Sequence, residues 1–537
     1  MKLSFVEIIS RYYHTIKHLK FIQIYFQVLY RIKRFVHIKP NKMNVKLLVN
    51  FNKPKIIPQF IPTHTSYLGN CSFIFLNITH DFDADIDWCL MTYGKLWNYN
   101  LQYLDYINQE KISGSDSLSC IHSLRHAINT GIIVDEPYPA SLRIMNLVKF
   151  SISRVDKDEQ VLLFIIEQIH YLKNNLEYHL LGNHILENAF ALLLGGHFIG
   201  DNQVFERGKK LLRKELNRQV LKDGAHFELS PMYHSIILTR LLDCINLLND
   251  DSEVVQNEFN QFLIKKASSM LGWLSKIQFR NGNLPHLNDS TDGISLTSKE
   301  IFSYAKKLNI SFVEEKLKES GYRKFESERF EMLIDVGDIQ PAYQPGHAHA
   351  DTTNFIVNID DKSFITDSGT STYQADEIRF YERSTNAHNT VTIDGRNSSD
   401  VWGAFRVGKR SQIIDLVEAP DYVSCKHDGY SNLGVIHERE FKISDSIVII
   451  DSINKLNRKV NRIFTKSAYL HFHPSIEISI ENNLEVETSL AKIVFENSEK
   501  INILPYNYSL GFNKRVLSKC LEVQFSKSLT TTIIPNF

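Results

Sequence analysis

Apolar residues recur with a helical period through the first half of the chain. From about residue 85 to 310 they follow the 3.6-residue spacing of amphipathic helices, as in segments 160–166 and 235–242. Each run ends at polar or glycine residues, which are typical helix stops. Many such helices in series predict an array of antiparallel helices of the α/α toroid type.

The period changes to two from about residue 328, which predicts strands at 355–360, 389–394 and 446–451. Asp-Gly pairs such as Asp394-Gly395 predict the turns between them. The second half is therefore predicted to be an antiparallel β-sandwich, and the fold class multidomain α + β. The predicted divisions are a basic N-terminal arm with helices at 1–84, an incomplete α/α toroid at 85–325 and a β-sandwich at 326–537.

Composition adds limits on size and partners. A chain of 537 residues exceeds what one hydrophobic core usually organises. Lys and Arg balance Asp and Glu at 61 each, so no overall charge attracts nucleic acid, and local charges must hold any acidic substrate. The six cysteines lack CxxC spacing, so neither a disulfide framework nor a thiolate zinc site is indicated.

Residues 1–42 are basic, with Glu7 as their one acidic residue. Arg11, Lys17 and Lys20 interrupt any apolar core of a secretory signal, so we expect a location in the cytoplasm or peripheral to the membrane, with the periplasm or cell envelope as the alternative. A basic amphipathic helix here is compatible with an anionic membrane surface. The preferred interpretation is an arm docked on the protein's own surface. No apolar run is long enough to span a bilayer.

Histidines and aspartates cluster in the second half in a pattern that suits a metal. If residues 345–351 form a strand, His347, His349 and Asp351 lie on one face, and Asp367 and His388 from neighbouring strands can face them. Imidazole and carboxylate ligands suit zinc. The alternative is a surface strand that carries two histidines.

Two motifs in the helical half also carry candidate chemistry. In the segment 182–188, His184 and Asn188 share a helix face, and Asn183 lies at the helix start beside them. In the segment 223–234, glycine and proline predict a loop that opens a helix, so Tyr233 and His234 fall in its first turn. For each histidine alone, a core or capping role is the alternative.

These motifs, in this order, resemble the heparinase II/III family of polysaccharide lyases over roughly residues 85–450. The resemblance implies an incomplete α/α toroid followed by an antiparallel β-sandwich, with the active cleft between them and zinc in the sandwich. His349, Asp367 and His388 match the ligand positions. The segments that carry the resemblance are 96–103, 138–143, 182–184, 230–234, 346–351, 367–370 and 387–391.

The reaction that the resemblance implies is β-elimination on a uronic-acid polymer. Asn183 and His184 match the positions that neutralise the substrate carboxylate, and Tyr233 and His347 match the catalytic tyrosine and histidine. Tyr381 is the candidate for a second tyrosine, with Tyr373 as the alternative. Expected substrate-binding residues are His226, Glu228, His234, Arg383 and Trp402.

Two other functions are compatible with this predicted fold. A glycoside hydrolase needs two carboxylates, and Glu228 with Asp289 are the best available pair. A non-catalytic glycan-binding protein would use aromatic platforms, for which the candidates are Trp97, Tyr103, Trp402 and Phe405. The expected partner is an anionic polysaccharide, preferably a surface or capsular polymer of the same cell rather than external heparin, and a homodimer stays open.

Overall fold

The structure is a computed structural model that describes residues 5–35, 58–83, 85–154, 158–249, 258–456, 462–482 and 484–536. Part of the predicted basic arm, residues 36–57, therefore lies outside the described residues. Helices come first and antiparallel sheets second, as the change of period predicts, so the predicted fold class is confirmed.

The helical half is built around α7, whose residues are buried on nearly every side. Helix α8 packs along it, and a Cβ on Gly208 of α8 would lie only 2.5 Å from the backbone nitrogen of Leu193. This close approach requires glycine. The helices are α1 (Phe5–Ile16), α2 (Phe21–Phe35), α3 (Lys95–Tyr103), α4 (Gly114–Asn129), α5 (Pro137–Ile152), α6 (Glu159–Asn174), α7 (Gly182–Ile199), α8 (Asn202–Gln219), α9 (Pro231–Leu248), α10 (Glu258–Ile277), α11 (Ser298–Lys307) and α12 (Glu377–Glu382).

All paired strands are antiparallel within the described ranges. The strands are β1 (Tyr67–Gly69), β2 (Ser72–Phe75), β3 (Ile78–Asp81), β4 (Tyr322–Glu326), β5 (Phe330–Asp335), β6 (Phe355–Ile359), β7 (Lys362–Ile365), β8 (Val391–Ile393), β9 (Val401–Trp402), β10 (Arg406–Val407), β11 (Ile413–Ala419), β12 (Tyr422–His427), β13 (Val435–Ile443), β14 (Ile447–Lys455), β15 (Lys466–His471), β16 (Ile478–Ile480), β17 (Glu485–Thr488), β18 (Ala491–Gly511) and β19 (Lys514–Pro535). The sequence analysis did not predict the small sheet β1-β2-β3.

Two larger sheets form the second half. One has the order β4-β5-β6-β7, and the other runs β11-β12-β13-β14-β19-β18-β17-β16, with β15 pairing both β19 and β8. Their inner faces share one hydrophobic core, in which Phe355 of β6 meets Phe441 of β13 edge to face, with ring centroids 6.1 Å apart. The two sheets are therefore the layers of the predicted sandwich.

Strands β18 and β19 form a long hairpin whose tip reaches the helical half. Asn77 donates from Nδ2 to the backbone oxygen of Phe512 at 2.9 Å, and Asn513 donates from Nδ2 to the oxygen of Leu76 at 3.1 Å. The ring of Phe512 also lies edge-on to Tyr373, with centroids 4.9 Å apart. The tip thus joins the small sheet to the region of the candidate site.

Residues 345–351 form a loop, so the predicted strand is wrong there. The backbone of this loop bonds to other loops instead of a neighbouring strand: Asp289 donates its N–H to His347 at 3.1 Å, and Ala350 donates to Arg383 at 3.0 Å. A histidine at every second position imitates strand alternation, but no sheet partner follows.

None of the six cysteines, all of which lie within the described residues, forms a disulfide. Among the helices of the described residues, none combines the length and apolar character that crossing a membrane would require.

Candidate active site

Tyr233 and His347 lie against each other where the helical half meets the sandwich. Tyr233 is in the first turn of α9, because Ser230 caps that helix and Pro231 occupies its first position. The two rings have centroids 4.0 Å apart, and the Tyr233 hydroxyl is 3.1 Å from that of Tyr373. Tyr233, His347 and Tyr373 are each partly exposed, so a ligand from solvent can reach them.

The buried carboxylate of Asp289 holds this cluster in place. It accepts from both terminal nitrogens of Arg379, from Nδ1 of His347 at 2.8 Å and from Nε2 of His349 at 2.9 Å. Burial alone would raise the pKa of Asp289, but Arg379 and the two histidines hold it well below its usual range. An ionised carboxylate only accepts hydrogen bonds, so His347 carries a proton on Nδ1, and in its neutral form its lone pair is on Nε2.

His184 forms a second polar group at the start of α7. Its Nδ1 is 3.0 Å from one oxygen of Glu177, and Asn188 donates to the other oxygen at 3.0 Å, as a shared helix face requires. Burial alone would lower the pKa of His184, but Glu177 and other carboxylates raise it overall. With a side chain 31% exposed, the ring can meet an anionic ligand as a cation.

The buried carboxylate of Glu228 fixes the start of α7. The backbone N–H of Asn183 donates to Glu228 at 3.1 Å. Gly182 has φ +56°, and a Cβ there would lie 2.7 Å from the same carboxylate oxygen, so only glycine suits the position. Burial raises the pKa of Glu228, while His347 and His184 partly lower it. A Cβ on Gly182 would also lie 3.4 Å from Cγ of Gln344, three residues before His347, so the start of α7 adjoins the His347 loop.

The structure buries three of the residues that are expected to bind substrate, namely His226, His234 and Arg383. All three are almost fully buried. Nε2 of His234 lies 3.0 Å from the oxygen of Met270, and burial lowers its pKa to about 3. Arg383 donates to the backbone oxygen of Ala348 at 2.9 Å. These side chains support loops, since their polar atoms are directed at the protein. Glu228, also expected to bind substrate, is equally buried.

The proposed aromatic platforms are also mostly covered. Trp97 and Tyr103 belong to the helical core. Trp402 donates from Nε1 to Thr15 at 3.2 Å, so α1 lies over it. Phe405 is 42% exposed, and its ring centroid is 6.2 Å from that of His347. Of the four candidate aromatic residues, Phe405 is therefore the one that lies beside His347.

Tyr381 lies away from Tyr233. In the short helix α12, Arg379 and Glu382 are the buried residues, and Tyr381 packs instead against the buried cluster of Tyr506, Tyr508 and Cys520. Tyr373, the alternative named from the sequence, is the tyrosine that bonds to Tyr233.

The predicted zinc ligands His349 and His388 are neighbours, with ring centroids 5.2 Å apart. Asp367 accepts from Nδ1 of His388 at 2.7 Å. Nδ1 of His349, Nε2 of His388 and Oδ2 of Asp351 are buried without a hydrogen-bond partner. Histidine nitrogens and aspartate oxygens are common ligands of zinc. Among the described residues, however, no three His, Cys, Asp or Glu side chains converge on one metal position, so zinc stays a prediction.

Sequence reasoning missed Arg379 and Glu177 and gave Asp289 a different role. From the sequence, Asp289 is a candidate only as a hydrolase carboxylate, because the loop that contains it shows no helical or strand period. Its partners are 58 to 90 residues away in the chain. A single sequence holds no signal that joins such distant positions.

Comparisons with known proteins show the family and the fold of this chain. The family profile described as "Heparinase II/III N-terminus" matches residues 92–316, and "Heparinase II/III-like, C-terminal" matches residues 314–534. A crystal structure of heparinase III superposes with a TM-score of 0.67 at 16% identity, covering 96% of this chain and 91% of that one. That similarity shows the fold.

Two curated relatives are named heparin-sulfate lyase. The one from Bacteroides stercoris is 23% identical over 46% of this chain and 41% of its own length. The one from Pedobacter heparinus is 26% identical over 43% of this chain and 38% of its own length. The matched part thus spans about two fifths of those proteins. With the two profiles together covering residues 92–534, the chain belongs to the heparinase II/III family.

Proposed function

We propose that this protein is a polysaccharide lyase that cleaves a uronic-acid-containing glycan by β-elimination. The observation that carries the proposal is the contact between the Tyr233 phenol and the His347 imidazole, whose proton position is set by Asp289. An acid and a base so close together can act on adjacent atoms of one sugar. The names of the two curated relatives support the same reaction class.

The first task is to make the C5 proton acidic. The uronate carboxylate must be neutralised so that negative charge can spread onto it as the proton leaves. His184 suits this task, since Glu177 favours its cationic form and its side chain is exposed to a ligand. Asn183 precedes it at the start of α7 and matches the family position for the same task, but it is only 4% exposed, so His184 is the better placed of the two to meet the carboxylate.

The second task is to move two protons. In the proposed step His347 takes the C5 proton on Nε2, and the C–H electron pair first spreads onto the neighbouring carboxylate. The pair then forms the C4–C5 double bond as the C4–O4 bond breaks, and the departing oxygen takes a proton from the Tyr233 hydroxyl. Burial raises the pKa of Tyr233 well above its ordinary value, which favours the phenol as the acid rather than the base.

Hydrolysis is less well supported by this arrangement. A hydrolase needs two carboxyl groups that reach the glycosidic bond. Glu228 and Asp289 are both almost fully buried, and both oxygens of Asp289 accept from Arg379.

The product distinguishes the two reactions. We expect incubation with uronate-containing polysaccharides to give an unsaturated uronate that absorbs in the ultraviolet, with one new chain end per double bond. The panel includes heparan sulfate, other glycosaminoglycans and the surface polysaccharide of the cell that makes the protein. New reducing ends without added absorbance would indicate hydrolysis and contradict the proposal.

Zinc is part of the proposal, with a structural role in the sandwich. His349 and His388 would hold it through the two nitrogens that lack partners, together with a carboxylate from Asp351 or Asp367. A bound zinc ion would supply ligand bonds that tie the 347–351 loop to residues 367–388. Asp289 would orient the His349 ring from outside the metal site, since it accepts from Nε2 of that ring.

Replacing His349 with alanine is expected to lower bound zinc and the melting temperature together, because loss of a structural ligand also weakens folding. Elemental analysis and thermal unfolding of the purified protein measure both. The matched control is His234→Ala, which removes another fully buried histidine, in the helical half. That variant should lose stability and keep its zinc. Full zinc occupancy in His349→Ala would contradict the assignment.

A further inference from the structure

Helix α1 docks on the sandwich through its polar side. Arg11 donates from Nε to Asp400 at 2.9 Å, and Thr15 accepts from the Trp402 indole at 3.2 Å. The ring of Tyr12 also meets Trp402 edge-on, with centroids 5.2 Å apart. A helix on a globular protein usually turns its apolar side inward, so α1 has the reverse orientation over much of its length.

Helix α2 docks in part through a polar residue too. Gln23 is buried, and its side-chain amide donates to the backbone oxygens of Leu180 at 3.1 Å and Tyr343 at 3.4 Å. Phe26 packs on Tyr178, with ring centroids 4.8 Å apart. Gln23 thus ties α2 to the segment before α7 and to the loop before His347.

The outward sides of both helices are apolar. Large side chains on α1 and α2 are more than half exposed, and none of the helix α1 residues is buried. Burial of such side chains away from water is favourable, and these side chains do not gain it in the isolated chain. We call six of these residues the outer face: Phe5, Ile9, Tyr13, Phe21, Tyr25 and Val28.

The charge around the outer face is strongly positive. Residues 1–57 contain twelve Lys and Arg against one acidic residue, Glu7, and the next acidic residue is Asp81. Since the whole chain is neutral, the remainder carries the matching acidic excess. Lys17 and Arg31 are exposed at the ends of the two helices. The positive charge and the apolar surface are therefore confined to the same part of the molecule.

We propose that the outer face binds the surface of an anionic lipid bilayer, with α1 and α2 lying along it. Aromatic and aliphatic side chains would enter the headgroup boundary while lysine and arginine meet anionic headgroups. A symmetric pair of copies would bring this basic segment against itself, and the basic segment 36–57 would add charge of the same sign. Neither a second copy nor the segment 36–57 supplies the negative charge that would complement the basic residues around the outer face. This proposal is independent of the reaction proposed above.

The test is co-sedimentation of the full chain with vesicles of phosphatidylcholine, with and without phosphatidylglycerol. We expect binding to the anionic vesicles only, and less binding at high salt because screening weakens the headgroup contacts. The variant Phe21→Ser/Tyr25→Ser/Val28→Ser should lower the partition coefficient at least about tenfold, since three apolar contacts are lost.

The matched control replaces three exposed apolar residues elsewhere, as Val134→Ser/Ile463→Ser/Leu517→Ser. It should bind vesicles as the wild type does, and both variants should keep the wild-type melting temperature. Absence of binding to anionic vesicles, or equal binding by the outer-face variant, would overturn the proposal. So would a dimer in solution that the outer-face variant abolishes, because a second copy would then cover the face.

Discussion

Replacing Tyr233 with phenylalanine is expected to lower kcat by about 10²–10⁴-fold, the contribution typical of a general acid or base. The variant keeps the ring that packs on His347 and loses only the hydroxyl that meets Tyr373. Glycan binding should be nearly unchanged, because the hydroxyl acts on the leaving oxygen rather than on the resting polymer. Initial rates from ultraviolet absorbance and equilibrium binding of the same glycan measure the two quantities.

Tyr381→Phe is the control for this change. It removes a phenol from the neighbouring cluster with Tyr506 and Cys520, away from Tyr233, so kcat should stay close to the wild-type value. An unchanged rate in Tyr233→Phe would remove Tyr233 from the mechanism. A loss of rate in both variants would mean that phenols support the fold here rather than the reaction.

Asp289→Asn is expected to lower the free energy of unfolding by about 3–5 kcal/mol, because Arg379 is left buried without its ion pair. It should also lower kcat in the protein that remains folded. An amide can donate to His347 as well as accept from it, so the proton of the ring is no longer fixed on Nδ1. Urea unfolding gives the first quantity, and kcat and KM measured where the variant is folded give the second.

The sandwich contains a matched control for this substitution. Asp451 is a buried carboxylate that accepts from Nε of Arg439 at 2.7 Å and from Nε2 of His437 at 2.7 Å. Asp451→Asn should destabilise the protein by a similar amount and leave kcat unchanged. If both variants retain the wild-type kcat, Asp289 contributes to stability alone and does not position His347.

The architecture could be predicted from periodicity because burial repeats along each element. The helical spacing at 160–166 lies within α6, and the alternation at 446–451 lies in β14. Tyr233 could be placed at a helix start because Ser230 and Pro231 are local signals. These features depend on residues close together in the chain, which a single sequence displays.

The contacts that organise the candidate site could not be predicted in this way. The 345–351 loop alternates like a strand but bonds to the loop around Asp289. Helix α12 has only six residues, so its apolar pattern is too short to show that Arg379 faces inward and Tyr381 does not. The ion pair of Asp289 with Arg379 forms between the two halves of the chain, and the local sequence pattern does not predict how those halves pack.

The long hairpin of β18 and β19 has a consequence for biosynthesis. The hairpin tip, Phe512 and Asn513, contacts Tyr373, Leu76 and Asn77. The ribosome adds these three residues to the chain more than a hundred residues before the tip. Pairings of such high sequence separation form late, since closing the intervening chain costs entropy before they are made. Phe512 therefore packs on Tyr373 only after β18 and β19 have been synthesised, so the surroundings of Tyr373 are incomplete while the polypeptide is still being translated.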